Sequence, residues 1–242
     1  NRMNIYIIRK CTYGLGLYIL DTFKDIHEKS VTISYDCRHN SKEFSKEAAC
    51  VLAKMGIKVY LFKDLRSTPE LSFSTRFNKS CAGIMITASH NPPKYNGYKV
   101  YDELGCQLVP DKADKVIERI DSIVDVFSIP TGSFDEFVKS GQIVLMDKSM
   151  DDEYIKHVLS VKVQDTPKNN VSIVFTPLHG TASVRMVDML KDEGYNVTPV
   201  KEQMVPDGSF STLKSPNPED SRAFEYAIEL GKKINADYLI AT

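Results

Sequence analysis

Gly83-Ile84-Met85-Ile86-Thr87-Ala88-Ser89-His90-Asn91-Pro92-Pro93 is the stretch on which the reading of this chain turns. Ile84 to Ile86 is a short apolar run of the kind that forms a buried strand. It gives way at once to small and polar residues and then to two prolines, which cannot continue a hydrogen-bonded ladder. Ser89 is therefore expected in a turn at the strand end, with its hydroxyl presented beyond the sheet edge. In an open α/β sheet that is where ligands bind. Taken alone, Ser-His-Asn-Pro also reads as an ordinary strand-to-loop turn.

The residues that follow add to the pattern. Lys94-Tyr95-Asn96-Gly97-Tyr98-Lys99-Val100-Tyr101 completes a block that resembles the phosphoserine loop of the α-D-phosphohexomutases, the phosphoglucomutase/phosphomannomutase family. The family pattern is Thr-(Ala/Gly)-Ser-His-Asn-Pro, a short spacer, then Asn-Gly-(aromatic)-Lys, and the chain matches it without a gap. The resemblance implies that Ser89 carries a phosphoryl group, gives it to a hexose phosphate and takes another back from a bisphosphorylated intermediate. It further implies Mg²⁺ held through the Ser89 phosphate, a glucose 1,6-bisphosphate-type activator and a sugar-phosphate substrate. A pentose-phosphate mutase is the alternative within enzymes. A non-catalytic relative serving as an interaction module is the alternative outside them, against which intact Ser89, His90 and Lys99 speak.

The residue types suit that chemistry. A serine hydroxyl is a weak nucleophile unless a base or metal assists it. Once phosphorylated it carries nearly two negative charges and three acceptor oxygens, so it needs cations and donors nearby. His90 can donate from its ring, and backbone N–H groups of the turn can add more. Lys99, expected at the start of the returning hairpin strand, can face the serine as a cation or proton shuttle. The plainer reading of Lys99 is a solvated strand-end lysine.

Other stretches agree with the resemblance. Thr176-Pro177-Leu178-His179-Gly180-Thr181-Ala182 is similar to the segment that opens the family's second domain. Pro206-Asp207-Gly208-Ser209-Phe210 and Ser215-Pro216-Asn217-Pro218-Glu219 are similar to that domain's Asp-Gly-x-Phe and Pro-Asn-Pro-Glu loop. Asn1-Arg2-Met3-Asn4 looks like the branch containing phosphopentomutase-like enzymes. His179 reads equally as a histidine bonding its local backbone, and Pro216 to Glu219 as a rigid loop before a helix for which Ser221 is a good N-cap. Asp36-Cys37-Arg38 resembles the family's Tyr-Asp-x-Arg. Arg38 either supports the serine loop from the neighbouring strand end or only holds its own turn with Asp36. The family's Asp-x-Asp-x-Asp-Arg metal loop would begin at Thr242, and no such cluster stands elsewhere. Asp151-Asp152 reads as a helix start favoured by the macrodipole. The resemblance thus places the metal aspartates and the C-terminal domains of the same protein outside this sequence, and it implies that this chain alone is inactive.

Composition is consistent with such a piece. The 242 residues leave room for one large or two ordinary domains. With 31 basic and 32 acidic residues the net charge is −1, which argues against a nucleic-acid binder. The five cysteines Cys11, Cys37, Cys50, Cys81 and Cys106 lack Cys-x-x-Cys spacing. That, with no signal peptide, points to a reducing cytoplasm. No apolar run reaches the length of a membrane span.

Strands and helices alternate, so the expected fold is α/β: layered α/β/α domains with mixed, mostly parallel sheets, over 1–148 and 149–242. The first helix is expected from Met3 to Glu28, with Gly14 and Gly16 marking a kink or close packing. Strands follow at Val31–Tyr35 and Ile57–Phe62. Between them Asn40 and Glu43 suggest a capping box, and Gly56 a helix C′ position. A helix over Pro69–Asn78 precedes the serine strand. Gly97–Tyr101 and Cys106–Val109 should form a hairpin, followed by a helix over Asp111–Val124 and a loose stretch over Phe127–Gly141. The second unit is expected as a helix to Val161, a strand from Val171, a helix from Thr181 to Gly194, a strand over Asn196–Val200, a helix over Ser221–Ile234 and a last strand.

Overall fold

The alternation S-V-T-I-S-Y in Ser30–Tyr35 builds the centre of the first sheet. In the computed structural model, which describes residues 3–163 and 171–242, this strand is buried along its whole length. Val31, Ile33 and Tyr35 enter the main apolar core. The hydroxyls on the opposite face are satisfied internally: Thr32 Oγ1 lies 2.9 Å from Ser80 Oγ, and Ser34 Oγ donates to the Arg66 carbonyl at 2.9 Å. A buried hydroxyl with a partner avoids the cost of an unmade hydrogen bond, about 1–3 kcal/mol. A strand of period two can therefore be covered on both faces.

The described residues form two compact units. Unit 1 comprises Asn1–Tyr35, Asn40–Thr87 and Asn96–Met150, and unit 2 comprises Asp36–His39, Ala88–Tyr95 and Asp151–Thr242. In unit 1, strands β1 (Ser30–Tyr35), β2 (Lys58–Phe62), β3 (Ala82–Ile86), β4 (Tyr98–Tyr101) and β5 (Ile143–Met146) form one sheet in the order β4-β3-β1-β2-β5. All neighbours are parallel except β3 and β4, which run antiparallel with Met85 opposite Lys99. Helices α1 (Ile5–Thr22) and α2 (Ser41–Lys54) cover the face carrying Val31, Ile33, Ile84 and Ile86. Helix α3 (Thr68–Phe77) covers the other, where Leu71 meets Met85 and Tyr101. Helices α4 (Pro110–Asp121) and α5 (Phe134–Ser140) add Val116, Phe134 and Phe137 to the first layer. Helix α6 (Lys148–Ser160) leads into unit 2. There β6 (Ser172–Thr176), β7 (Asn196–Pro199) and β8 (Tyr238–Ala241) form a parallel sheet in the order β7-β6-β8. Val187 of α7 (Met186–Asp192) packs with Ile173, Phe175 and Val197, while Ala227 of α8 (Glu225–Ile234) packs with Val174 and Val200. The layered, mixed and mostly parallel α/β architecture is the expected one.

Several local expectations are corrected. Helix α1 starts after Asn4, whose side chain accepts from the Tyr6 and Ile7 amides. It ends at Thr22, where Phe23 leaves the helical conformation and turns partly into the core. Asn40 makes no capping box, because its backbone is left-handed (φ 64°) and its side chain makes no cap bond. Residues 106–109 return beside β4 as a single bridge, Tyr101 to Gln107, where a strand was expected. Asp102 instead closes a tight loop, accepting from the Leu104 and Cys106 amides. The loose stretch contains α5, capped by the Ser133 side chain, and is followed by the edge strand β5. The helix expected from Thr181 is broken at Arg185 (φ 71°), whose guanidinium pairs with Asp152 at 2.6 Å. Asp220, not Ser221, caps the short 3₁₀ turn that precedes α8. Asn1 and Arg2, half of the Asn1-Arg2-Met3-Asn4 match, lie outside the described residues.

Gly14 and Gly16 mark close packing within the unbroken helix Ile5–Thr22. A Cβ on Gly14 would stand 2.4 Å from Ile120 Cγ1 and 2.9 Å from the Ile120 backbone; one on Gly16 would meet Met55 Sδ at 2.5 Å. Two effects compete in Gly14→Ala. Helix propensity favours alanine by about 1 kcal/mol, whereas overpacking costs about 1–3 kcal/mol. The obstacle is backbone, which cannot swing aside, so the steric effect wins. Urea unfolding should show Gly14→Ala less stable than the parent by about 1 kcal/mol or more. A stabilised variant would show that α1 and α4 can separate at little cost.

Candidate active site

β1 ends at Tyr35 and β3 at Ile86, residues paired across two adjacent parallel strands. The chain leaves these neighbouring strand ends as Asp36–His39 and Ala88–Tyr95, and both segments belong to unit 2. Ala88 is buried, while Ser89 and His90 are exposed. Ser89 holds a left-handed backbone at φ 55°. A non-glycine residue adopts that region at a cost of roughly 1 kcal/mol or more, so it persists only where the surroundings dictate it.

Two tight turns shape the loop, with the Asn91 amide donating to the Ala88 carbonyl at 3.1 Å and the Tyr95 amide to the Pro92 carbonyl at 3.0 Å. Arg38 fixes it from beneath. One terminal nitrogen of its guanidinium donates to the Pro92 and Tyr95 carbonyls at 3.0 and 2.9 Å. The other donates to those of Ser89 and Asn91 at 2.8 and 2.5 Å. Asp36 orients the arginine, accepting the Arg38 amide at 2.9 Å and facing Nε at 3.2 Å. Burial pushes the guanidinium's pKa down and the Asp36 charge opposes that shift. Both readings of Arg38 hold together: it is tied to Asp36 and it supports the serine loop.

A third segment closes on Asp36–His39. The Phe210 ring faces the Arg38 guanidinium at 5.2 Å, a cation–π geometry. His39 Nε2 lies 2.8 Å from Ser209 Oγ, and the Cys37 thiol points to the Asp207 carbonyl at 3.8 Å. Burial raises the Cys37 pKa to about 12, so this thiol is neutral and unreactive. A Cβ at Gly208 would strike the His39 nitrogen at 2.7 Å and the Cys37 oxygen at 2.8 Å; only glycine fits there. Asp207 organises its own turn. Hydrogen bonds from the Ser211 hydroxyl and amide, and then from the Ser209 amide, hold its pKa down to about 2. The sequence quoted Asp207-Gly208-Ser209-Phe210 as a family segment, but nothing in its pattern reveals that Gly208 and Phe210 grip a loop far away in the chain.

His179 belongs to the frame of unit 2. It is buried, with Nδ1 2.8 Å from the Val205 carbonyl and Nε2 2.8 Å from Thr212 Oγ1. Gln203, also buried, receives Thr176 Oγ1 at 2.6 Å and donates to Thr212 at 3.0 Å. Both ring nitrogens of His179 are thus committed to structure. Asn217 accepts the Glu219 amide at 3.0 Å, stiffening Pro216–Glu219 as a rigid loop.

Of the sequence candidates, Ser89 and His90 stand together in this loop. Lys99 stands on β4 in unit 1, half-buried opposite Met85. Gly97, just before β4, could carry no side chain, because a Cβ would lie 2.7 Å from the Thr87 carbonyl. Among the described residues no group of three or more His, Cys, Asp or Glu is gathered to hold a metal ion, so these residues alone do not fit a Mg²⁺ site. Nor is any helix among them long and apolar enough to cross a membrane.

Two family models match the chain: phosphoglucomutase/phosphomannomutase α/β/α domain I over residues 1–126 and α/β/α domain II over residues 152–242. The chain is 40% identical over all 242 residues to phosphoglucomutases of Staphylococcus saprophyticus and Staphylococcus aureus MRSA252. It spans 43% of the length of each. A Thermus thermophilus protein provisionally described as a phosphomannomutase shares the fold, with a TM-score of 0.81 at 20% identity over all of this chain and 51% of its own. The sequence block around Ser89, the two α/β/α units and these matches agree: the chain belongs to the phosphoglucomutase/phosphomannomutase family.

Proposed function

We propose that this chain is the part of a phosphosugar mutase that carries the phosphoryl group, on Ser89. The observation that supports this most is the left-handed Ser89 backbone, held at a strand end by a loop whose carbonyls are drawn inward while the serine itself is exposed. In the whole protein the Ser89 Oγ–P bond breaks and a P–O bond forms to a hydroxyl of the sugar phosphate. The proton of that hydroxyl passes to a base and returns to Ser89 Oγ. The reverse transfer from the other end of the bisphosphate restores the phosphoserine and completes a 1,6 exchange on a hexose. His90 contributes a ring donor to the phosphate, and Lys99 a cation or proton carrier. The relatives' name, phosphoglucomutase, does not favour a pentose mutase or a non-catalytic module.

Mg²⁺ and a glucose 1,6-bisphosphate-type activator belong to this reading of the whole protein. The metal would need ligands besides those described here. We assign domain I to 1–148 and domain II to 149–242, with the remaining domains of the same protein as the chain's partners. Five free thiols favour a reducing, cytoplasmic location.

In the whole protein, intact-mass measurement should find a phosphate on Ser89, and Ser89→Ala should abolish nearly all turnover while leaving the fold intact, since the loop offers no substitute nucleophile. Turnover within about tenfold of the parent would remove Ser89 from the reaction.

Lys99→Met keeps much of the side chain's stem and deletes its charge. Stability should change by less than about 1 kcal/mol, while turnover of the whole protein should fall by about a hundredfold or more. A stable variant with near-normal turnover would make Lys99 an ordinary strand lysine. Calorimetric titration of the 242-residue chain with Mg²⁺ should give a Kd weaker than about 10 μM. Tighter binding would reveal a ligand set that the described residues do not show.

A further inference from the structure

We propose that Arg38 is the positioning residue for Ser89, and that Phe210 and Gly208 keep it in place. The pattern of its bonds carries the inference. The two terminal nitrogens of a guanidinium bear four N–H donors, and here they reach four carbonyls between Ser89 and Tyr95. Nε is turned to Asp36. The carbonyls are not an arbitrary set. Those of Asn91 and Pro92 belong to peptide bonds whose nitrogen is a proline's, Pro92 and Pro93, so drawing these oxygens inward leaves no N–H on the far side in want of a partner. The Ser89 carbonyl also points at the guanidinium. Its peptide is planar and trans, so the His90 N–H points the opposite way, away from the arginine.

The loop is therefore a backbone folded round one cation. Its oxygens face the charge and the His90 amide, next to the exposed Ser89 in the chain, faces away. That amide is placed to meet an anionic group on the serine. Tying the carbonyls on both sides of His90 to one nitrogen restrains the torsions of His90 and Asn91, directly after the left-handed Ser89. Arg38 itself is 3% exposed, so its own position is set by what touches it. Asp36 fixes one edge, and the guanidinium carbon stands over the Phe210 ring at 5.2 Å. Gly208 lets the 207–210 turn press on the Cys37 and His39 backbone. Lysine cannot replace this group, having three donors on a point charge and no plane.

The role as positioning residue deepens the phosphoserine reading and rests on it for kinetics only. The test uses Arg38→Lys, which keeps the charge and removes the fork, followed by amide hydrogen exchange. The hydrogen-bonded amides of Asn91 and Tyr95 should exchange at least about tenfold faster, and trypsin should cut after Lys94 more readily, while the amides of β1, β3 and β6 keep their protection. A merely structural arginine would loosen loop and sheets together, and that result, or an unchanged loop, overturns the proposal. Should Arg38→Lys fail to fold, Phe210→Leu decides, because it leaves Arg38 present and removes only the ring. It should give a smaller rise confined to the same two amides, and no rise overturns the proposal. In the whole protein Arg38→Lys should lower kcat with KM little changed, because Arg38 holds the serine and not the sugar; a rise in KM at constant kcat overturns it. If the parent protein never carries phosphate on Ser89, the mutase reading fails while the exchange pattern still reports on Arg38.

Discussion

A guanidinium taken out of water must have its donors met, because it cannot shed its charge in a protein. Arg38 is buried, and the donors of its two terminal nitrogens are met by carbonyls of the Ser89 loop. The dependence runs both ways. Without the arginine those carbonyls lose the cation that gathers them, and without the loop the arginine keeps Asp36 but its four terminal N–H donors are left unmet. Breaking one side of a buried ionic arrangement commonly costs about 3–5 kcal/mol. The bond to Asp36 alone would not offset the desolvation, which is why the serine loop and the Asp36–His39 turn form one cooperative unit.

Topology explains how segments so far apart in the chain come to share this unit. The order β4-β3-β1-β2-β5 sends the chain from β1 to β2 on one side and from β2 back to β3 on the other. The loops after β1 and β3 therefore leave adjacent parallel strands at the same end, the switch point at which open α/β sheets bind ligands. The hydroxyls of Ser30, Thr32 and Ser34 serve that arrangement indirectly. Paired with Ser80 and Arg66, they let β1 stay buried under helices on both faces and end beside β3.

The layers and the serine turn were legible because their signals are local. Alternation marks β1, apolar stretches mark β2, β3 and β6, and two prolines after Ser89 mark where β3 has ended. What failed depended on backbone conformation or on distant partners. Asn40 with Glu43 has the composition of a capping box, but a left-handed Asn40 cannot aim its side chain at the helix amides. Arg185 breaks an evenly amphipathic stretch because its left-handed backbone goes with a pair to Asp152, a residue no local pattern links to it. Ile143–Met146 is an apolar run of only four residues, too short for its periodicity to separate strand from helix, and pairing with β2 makes it a strand. His179 was ambiguous in sequence since a family segment and a local backbone bond both suit a strand-to-helix histidine, and its ring nitrogens lie beside Val205 and Thr212.

Arg38 shows the same limit at the site itself. Sequence could weigh an arginine two residues from Asp36 against a support for the serine loop, because both need the same side chain in the same turn. The alternatives prove not to compete. Asp36 uses the amide and Nε edge of Arg38, and the loop uses the terminal nitrogens, so one planar fork serves both without sharing a donor. Phe210 then adds a cation–π contact, the guanidinium carbon standing 5.2 Å from its ring centroid. Edge, fork and ring are three separate contacts made by one guanidinium. The turn at Asp207–Phe210 and the turn at Ser89–Tyr95 are thereby held to one another through a single residue, although neither sequence carries any sign of the other.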